Sequence, residues 1–122
     1  MDKIHYHLQP CKLITCIVPE DGTDTKLIAA LYKEKGINRA NSISCRGVGF
    51  LRATETKRGK LPESLLLRAV VVVVQETEAQ EIFEFICETA NIGRPGGGYV
   101  LLGATLEGTQ CELPTDIPQE KL

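Results

Sequence analysis

The 122-residue sequence has little net charge and almost no histidine, and both shortages limit its chemistry. A net charge of -2 gives no long-range attraction for a polyanion, so nucleic-acid binding would need a local basic patch. The two histidines, His5 and His7, lie near the start, outside the predicted core, and no paired carboxylates stand beside the glycine-rich segment near residue 95. Without a nucleophile next to a base, we expect no enzyme activity.

Disulfide spacing and long apolar runs are also missing. The five cysteines form no C-x-x-C pair, and their odd number fits poorly with a secreted disulfide framework. The start of the chain lacks the basic-then-apolar run of a signal peptide, and the valine stretch at 70–74 is too short to span a bilayer. The sequence therefore predicts a cytoplasmic protein with reduced thiols. The cysteines are Cys11, Cys16, Cys45, Cys87 and Cys111.

The composition is that of one ordinary globular domain, with 43% hydrophobic and 25% charged residues. We divide the chain into an N-terminal arm (1–11), a single domain (12–106) and a C-terminal tail (107–122) that we expect to be partly mobile. Within the domain, residues 50–65 show no clear periodicity. A loop of that length in so small a domain is usually functional, and we call residues 50–65 the long loop.

Four apolar segments predict strands. KLITCIVP at 12–19 is rich in Ile and Val and ends at a proline, and a shorter strand is predicted at 41–45. LLLRAVVVVVQ at 65–75 is the strongest candidate, because five consecutive valines suit a central strand buried on both faces. YVLLGATL at 99–106 is the last.

Two segments predict helices. The first follows residue 22, with Thr23 or Asp24 as a possible cap, apolar residues at helical spacing and Gly36 as its end. The second has Thr77 and Gln80 at capping-box spacing, and residues 82, 85, 86 and 89 then form one stripe at helical spacing. The order βαββαβ predicts an α+β, ferredoxin-like fold with two helices on one face of an antiparallel sheet. The apolar opposite face suggests self-association into a cyclic oligomer.

The segment GRPGGG at 93–98, which we call the glycine loop, lies between the second helix and the last strand. Walker and Rossmann phosphate loops run from strand to helix, so neither motif applies. Two readings remain open. Backbone N–H groups and the guanidinium of Arg94 could hold an anion, or the loop could only stop the helix at Gly93 and turn a corner.

KLITCIVP, the CRGVG sequence at 45–49, the long loop and IGRPGGGYVLL fall in the order and spacing of the PII signal-transduction superfamily, which the chain resembles over most of its length. The resemblance implies a homotrimer that binds an adenine nucleotide in the clefts between subunits, as an effector and not as an obligatory cofactor. It also implies that the long loop contacts a protein partner such as a membrane transporter or an enzyme.

Carried over residue by residue, the resemblance places Asn41 and Ser42 near adenine, CRGVG where the second strand meets the long loop, and the glycine loop on the phosphate side, with Arg94 in place of a lysine. The nucleotide-binding residues that it implies are Asn41, Ser42, Gly47, Val48, Gly49, Gly93, Arg94, Pro95, Gly96, Gly97 and Gly98. Basic residues of the long loop would meet the partner. They are Arg52, Lys57, Arg58 and Lys60.

The sequence also departs from the family pattern. Leu51 replaces the glutamine of a 2-oxoglutarate and magnesium site, and Glu107 and Gln110 replace two arginines that clamp terminal phosphates. An anion there would repel a triphosphate, so we expect ADP or AMP to bind better than ATP. No tyrosine occurs between 49 and 65, which removes the usual uridylylation site.

Two other functions fit the same topology. A metal-binding trimer resembling the CutA family would use His5, His7 and cysteines such as Cys11, although no fourth ligand is evident. An RNA-recognition sheet would stack bases on aromatic residues of the first and third strands, which here contain none. A redox role for the lone Cys111 is a further alternative.

Overall fold

The fold is a single antiparallel sheet with two helices packed on one face. The computed structural model describes residues 7–47 and 65–109. In the sheet, β2 and β4 form the edges and the strand order is β2-β3-β1-β4, with every neighbouring pair antiparallel. This confirms the α+β, ferredoxin-like prediction and the interior position of β3. The described elements are β1 (Leu8–Pro19), α1 (Thr23–Lys35), β2 (Ala40–Gly47), β3 (Leu65–Gln75), α2 (Ala79–Thr89) and β4 (Tyr99–Thr109).

The first and last strands along the chain are longer than we predicted. β1 begins at Leu8 and β4 ends at Thr109, and these two residues pair with each other. The sheet therefore extends into the residues that we assigned to the N-terminal arm and the tail. Proline has no N–H for the ladder, so Pro10 fits only where one side of the strand lacks a neighbour. β3 reaches only as far as Gln75, opposite Cys11, so Pro10 has a strand neighbour on one side only, where the missing donor is tolerated.

The core lies between the helices and one face of the sheet. Val70, Val72 and Val74 alternate with half-buried neighbours along β3, so within this chain the valine run is fully buried on one face and not on both. α1 contributes Leu27 and Leu31 to that core. Residues 7–47 and 65–109 form two α-helices, and both cover the same side of the sheet.

The sheet face away from the helices exposes large apolar side chains. Ile43 on β2 is 53% exposed and Leu101 on β4 is 58% exposed. Their neighbours along the strands, Ser42 and Val100, are less exposed, and Val100 packs against the core. Because side chains alternate along a strand, Ile43 and Leu101 share the other face, which we call the open face.

The helix ends confirm one prediction and overturn another. α1 ends at Gly36, which has φ 67° and donates its N–H to the carbonyl of Tyr32, as predicted. The predicted capping box of Thr77 and Gln80 is wrong. The amide of Gln75 donates to Oε1 of Glu78 at 3.3 Å, around a 3-10 turn at Glu76–Glu78 that precedes α2. β3 runs directly into this turn, so the cap falls on its last residue.

Candidate functional site

Four chain segments meet at one end of the sheet. Ile17 near the end of β1 pairs with Tyr99 at the start of β4, and Gly47 at the end of β2 pairs with Leu65 at the start of β3. The glycine loop, which precedes β4, and the end of β2 that leads to the long loop are therefore at the same end of the sheet, but beside opposite edge strands. Three strand spacings, about 14 Å, separate those edges.

The glycine loop turns the corner in two steps. The amide of Arg94 donates to the carbonyl of Asn91 at 3.2 Å, and the amide of Gly97 donates to the carbonyl of Arg94 at 3.0 Å. Gly96 has φ 73° and Asn91 has φ 50°, so the chain reverses direction through left-handed residues. Part of the loop's hydrogen-bonding capacity is therefore used internally, and not all of it faces outward.

Two glycines are required by close packing. A Cβ at Gly98 would lie 1.8 Å from the carbonyl oxygen of Ile17, and Gly98 also has φ 96°. A Cβ at Gly97 would lie 2.8 Å from the carbonyl oxygen of Asn91. Gly93 differs, because a Cβ there meets nothing within 4 Å and its φ is not positive. Close packing therefore explains why residues 97 and 98 are glycines, but it does not explain Gly93.

Arg94 holds the glycine loop to the turn between β1 and α1. Its Nη2 donates to Oδ2 of Asp21 at 3.0 Å and to Oγ1 of Thr23 at 3.2 Å. The side chains of Arg94 and Asp21 are 35% and 41% exposed, so the pair is open to solvent. The Nε of Arg94 is buried and has no hydrogen-bond partner among residues 7–47 and 65–109.

Asp21 is itself held in place by Thr23. Its Oδ1 accepts hydrogen bonds from the hydroxyl and from the amide of Thr23. The Thr23 hydroxyl is the main reason that the pKa of Asp21 is lowered; partial burial acts in the opposite direction, and the Thr23 amide and Arg94 lower the pKa further. Asp21 is therefore an ionised, pre-positioned carboxylate at neutral pH.

The two residues expected near adenine lie on opposite faces of β2. Asn41 is exposed, whereas Ser42 lies under α1, where its hydroxyl donates to Oδ2 of Asp24 at 2.6 Å. Adjacent strand residues point to opposite sides, so their side chains cannot contact one ligand together from the same face.

Asp24 forms a polar cluster with Ser42 and Arg68 that the sequence analysis missed. Nε of Arg68 lies 3.1 Å from Oδ2 of Asp24 and 3.0 Å from the Ser42 hydroxyl, and Glu20 lies 4.0 Å from the same guanidinium. Burial raises the pKa of Asp24, but hydrogen bonds from Ser42, Arg68 and the Thr25 amide, with the charge of Arg68, outweigh it and leave the pKa lowered. Asp24 is not a helix cap, as we had considered, because α1 has no side-chain cap at its start.

Several predicted residues lie outside the described ranges. They are Val48, Gly49, Arg52, Lys57, Arg58, Lys60, His5, Leu51, Gln110 and Cys111. Glu107 is described and pairs with Pro10, eight residues along β4 from Tyr99. At 3.3 Å per residue that is about 26 Å, so Glu107 cannot contact a ligand at the glycine loop of its own chain.

The metal-binding alternative gains no support from the described residues. In the two ranges that the structure describes, no three His, Cys, Asp or Glu side chains gather as a metal site. His7 is exposed and Cys11 is buried. The four described cysteines are free thiols, and burial, with a smaller contribution from Cys87, raises the pKa of Cys16 to about 12.

A small cavity of about 190 Å³ lies at the other end of the sheet, next to the C-terminal end of α1. It is smaller than the roughly 300 Å³ that ligand pockets usually need, and no predicted site residue lines it. Its lining residues are Lys35, Gly36, Ile37, Asn38, Arg39, Val73, Gln75 and Glu78.

Comparison with known proteins supports the fold. No family model and no curated protein matches the chain. Among solved structures, the chain is similar to the GlnK-ATP complex of B. subtilis, with a TM-score of 0.59 and 20% sequence identity over 80% of this chain and 84% of that one. At this identity the likeness shows a PII-like fold. No described helix is long and apolar enough to cross a membrane.

Proposed function

We propose that the protein is a PII-like signalling protein that binds an adenine nucleotide between the subunits of a homotrimer. The nucleotide regulates a partner, such as a membrane transporter or an enzyme, through the long loop, and the protein works in the cytoplasm without catalysing a reaction. The observation that carries the proposal is the position of the glycine loop, at the end of the sheet where β2 leads into the long loop. The likeness to a PII-like fold solved with ATP supports it.

The binding site requires more than one chain. Gly47 and the glycine loop lie beside opposite edge strands, about 14 Å apart, with the interior strands β3 and β1 between them. A second copy packed on the open face would bring the β2 edge of one copy close to the β4 edge of the other. It would also cover Ile43 and Leu101. We therefore place the nucleotide in a cleft between copies.

Arg94 is the phosphate-binding residue of the proposal. Its side chain is about one-third exposed, and the planar donors of its guanidinium match phosphate oxygens. Glu107 can approach a nucleotide only from another copy, where its negative charge disfavours a third phosphate. ADP and AMP are accordingly expected to bind better than ATP.

Isothermal titration calorimetry with ATP, ADP, AMP, cyclic AMP and adenosine tests the proposal. We expect ADP and AMP to bind more tightly than ATP. Arg94→Ala should weaken ADP binding by about ten- to a hundredfold and leave adenosine binding unchanged, because a hydrogen bond to a charged group contributes about 1.5–3 kcal/mol and each 1.4 kcal/mol is about tenfold in affinity.

Lys33→Ala is the matched control, since it removes an exposed charge from the last turn of α1. It should change neither affinity. Absence of binding for every nucleotide at millimolar concentration would overturn the proposed function. Equal losses for ADP and adenosine in Arg94→Ala would show that Arg94 does not contact phosphate.

A further inference from the structure

The residue that faces Arg94 lies in the turn between β1 and α1, a segment that no predicted site included. Asp21 Oδ2 accepts from Nη2 of Arg94 at 3.0 Å, and Thr23 fixes the other carboxylate oxygen through its hydroxyl and amide. This carboxylate is bound where we place an incoming phosphate. Its negative charge is retained at neutral pH, since its pKa is lowered.

We propose that Asp21 is a built-in competitor, an internal anion that occupies Arg94 and that a ligand phosphate must displace. The proposal rests on the proposed function, because it assigns a regulatory role at the same site. Asp21 would set the threshold concentration at which a phosphorylated ligand binds, and would discriminate against ligands with too little negative charge to replace it.

The geometry favours competition over cooperation. A phosphate that engages both terminal nitrogens of a guanidinium needs Nη2, and Nη2 already binds both Asp21 and Thr23. The buried Nε cannot take its place without movement of the side chain. A phosphate and a carboxylate on one guanidinium would also repel each other, so the two anions exclude one another.

The exchange is energetically accessible. Exposed ion pairs contribute little stability, and the side chains of Asp21 and Arg94 are both more than one-third exposed. A phosphate group carries more charge than a carboxylate, so it can displace Asp21 without unfolding the turn. The hydrogen bonds from Thr23 keep Asp21 close to Arg94, so the Asp21–Arg94 ion pair can form again after the phosphate dissociates.

Asp21→Asn tests the inference by calorimetry with ADP and with adenosine. The substitution keeps the shape and one acceptor for Thr23 but removes the charge. We expect ADP to bind about three- to tenfold more tightly than in the wild type, from the lost pair and the lost repulsion, with adenosine unchanged. Asp21→Ser, which also keeps a short acceptor, is the second variant in case Asp21→Asn does not fold.

Glu20→Gln is the matched control. Glu20 precedes Asp21 and carries the same charge, but its carboxylate lies 4.0 Å from Arg68 and not on Arg94. It should leave ADP affinity nearly unchanged. Unchanged or weaker ADP binding in both Asp21 variants would overturn the inference, as would an equal gain in Glu20→Gln. If the wild type and all variants fail to bind any nucleotide, the proposed function itself fails, which is a different result from wild-type binding that Asp21 does not affect.

Discussion

Replacing Gly98 by alanine should be far more costly than the same change five residues earlier. Gly98 has φ 96°, and its added Cβ would lie 1.8 Å from the carbonyl oxygen of Ile17. Ile17 is paired on both sides, with Ala69 of β3 and Tyr99 of β4, so its backbone cannot retreat without breaking ladder hydrogen bonds. The glycine loop would have to move instead.

The magnitude follows from two contributions. A non-glycine residue in a left-handed conformation costs about 1–2 kcal/mol, and overpacking against a fixed neighbour costs about 1–3 kcal/mol. Gly98→Ala should therefore lower the free energy of unfolding by about 2–5 kcal/mol, a large share of the roughly 5–15 kcal/mol that holds a domain folded. Gly93→Ala meets nothing within 4 Å and should change it by less than about 0.5 kcal/mol.

Urea denaturation followed by circular dichroism measures both variants. All proteins must be compared at one protein concentration, because self-association would make the transition concentration-dependent. We expect the midpoint of Gly98→Ala to fall by about 1–3 M while that of Gly93→Ala stays near the wild type. Matching midpoints for the two variants would refute the packing argument, since it would mean that the glycine loop leaves β1 at little cost.

Two further predictions concern the polar cluster and the open face. Asp24→Asn should lower the free energy of unfolding by about 1–3 kcal/mol at neutral pH, because Arg68 and Ser42 lose a charged partner. The folded-state pKa of Asp24 lies below the unfolded value of 3.8, so Asp24 stabilises the fold fully above pH 3.8 and loses this effect as the pH falls through the folded-state pKa. A difference in the free energy of unfolding between wild type and variant that persists in strong acid would contradict this. Ile43→Lys should convert a homotrimer into monomers of 13.4 kDa by light scattering, whereas Tyr32→Lys, on the 65% exposed Tyr32 of α1, should not; a wild-type monomer or an intact Ile43→Lys trimer would count against the open-face interface.

The strands and helix faces could be predicted because their signals are local. The valine run identified β3 as an interior strand, and Gly36 ended α1 where its left-handed conformation is needed. The strand ends were missed because Pro10 and the polar residues near Glu107 resemble a loop when read alone. The start of β1 and the end of β4 form strands because they pair with each other, and this pairing cannot be read from either segment alone.

The contacts of the candidate site could not be read from neighbouring residues. Asp21 and Arg94 are 73 residues apart, and Asp24 and Arg68 are 44 apart. Only the topology joins them: the end of β1 lies beside the start of β4, so the turn after β1 must approach the turn before β4. The predicted βαββαβ order already contained that adjacency, and an acidic turn beside a basic one was the signal available.

Arg94 is therefore stronger evidence for phosphate binding by this loop than its glycines are. Close packing accounts for Gly97 and Gly98 without any ligand, because a side chain at either would strike backbone. It does not account for Gly93, where a Cβ has room, nor for the partly exposed side chain of Arg94, which pairs with Asp21. If Arg94 only fixed the conformation of the loop, we would expect it to be buried and fully hydrogen-bonded, because an exposed ion pair contributes little stability. The exposed pair suits exchange between anions, so corner and phosphate site are compatible roles for the same six residues.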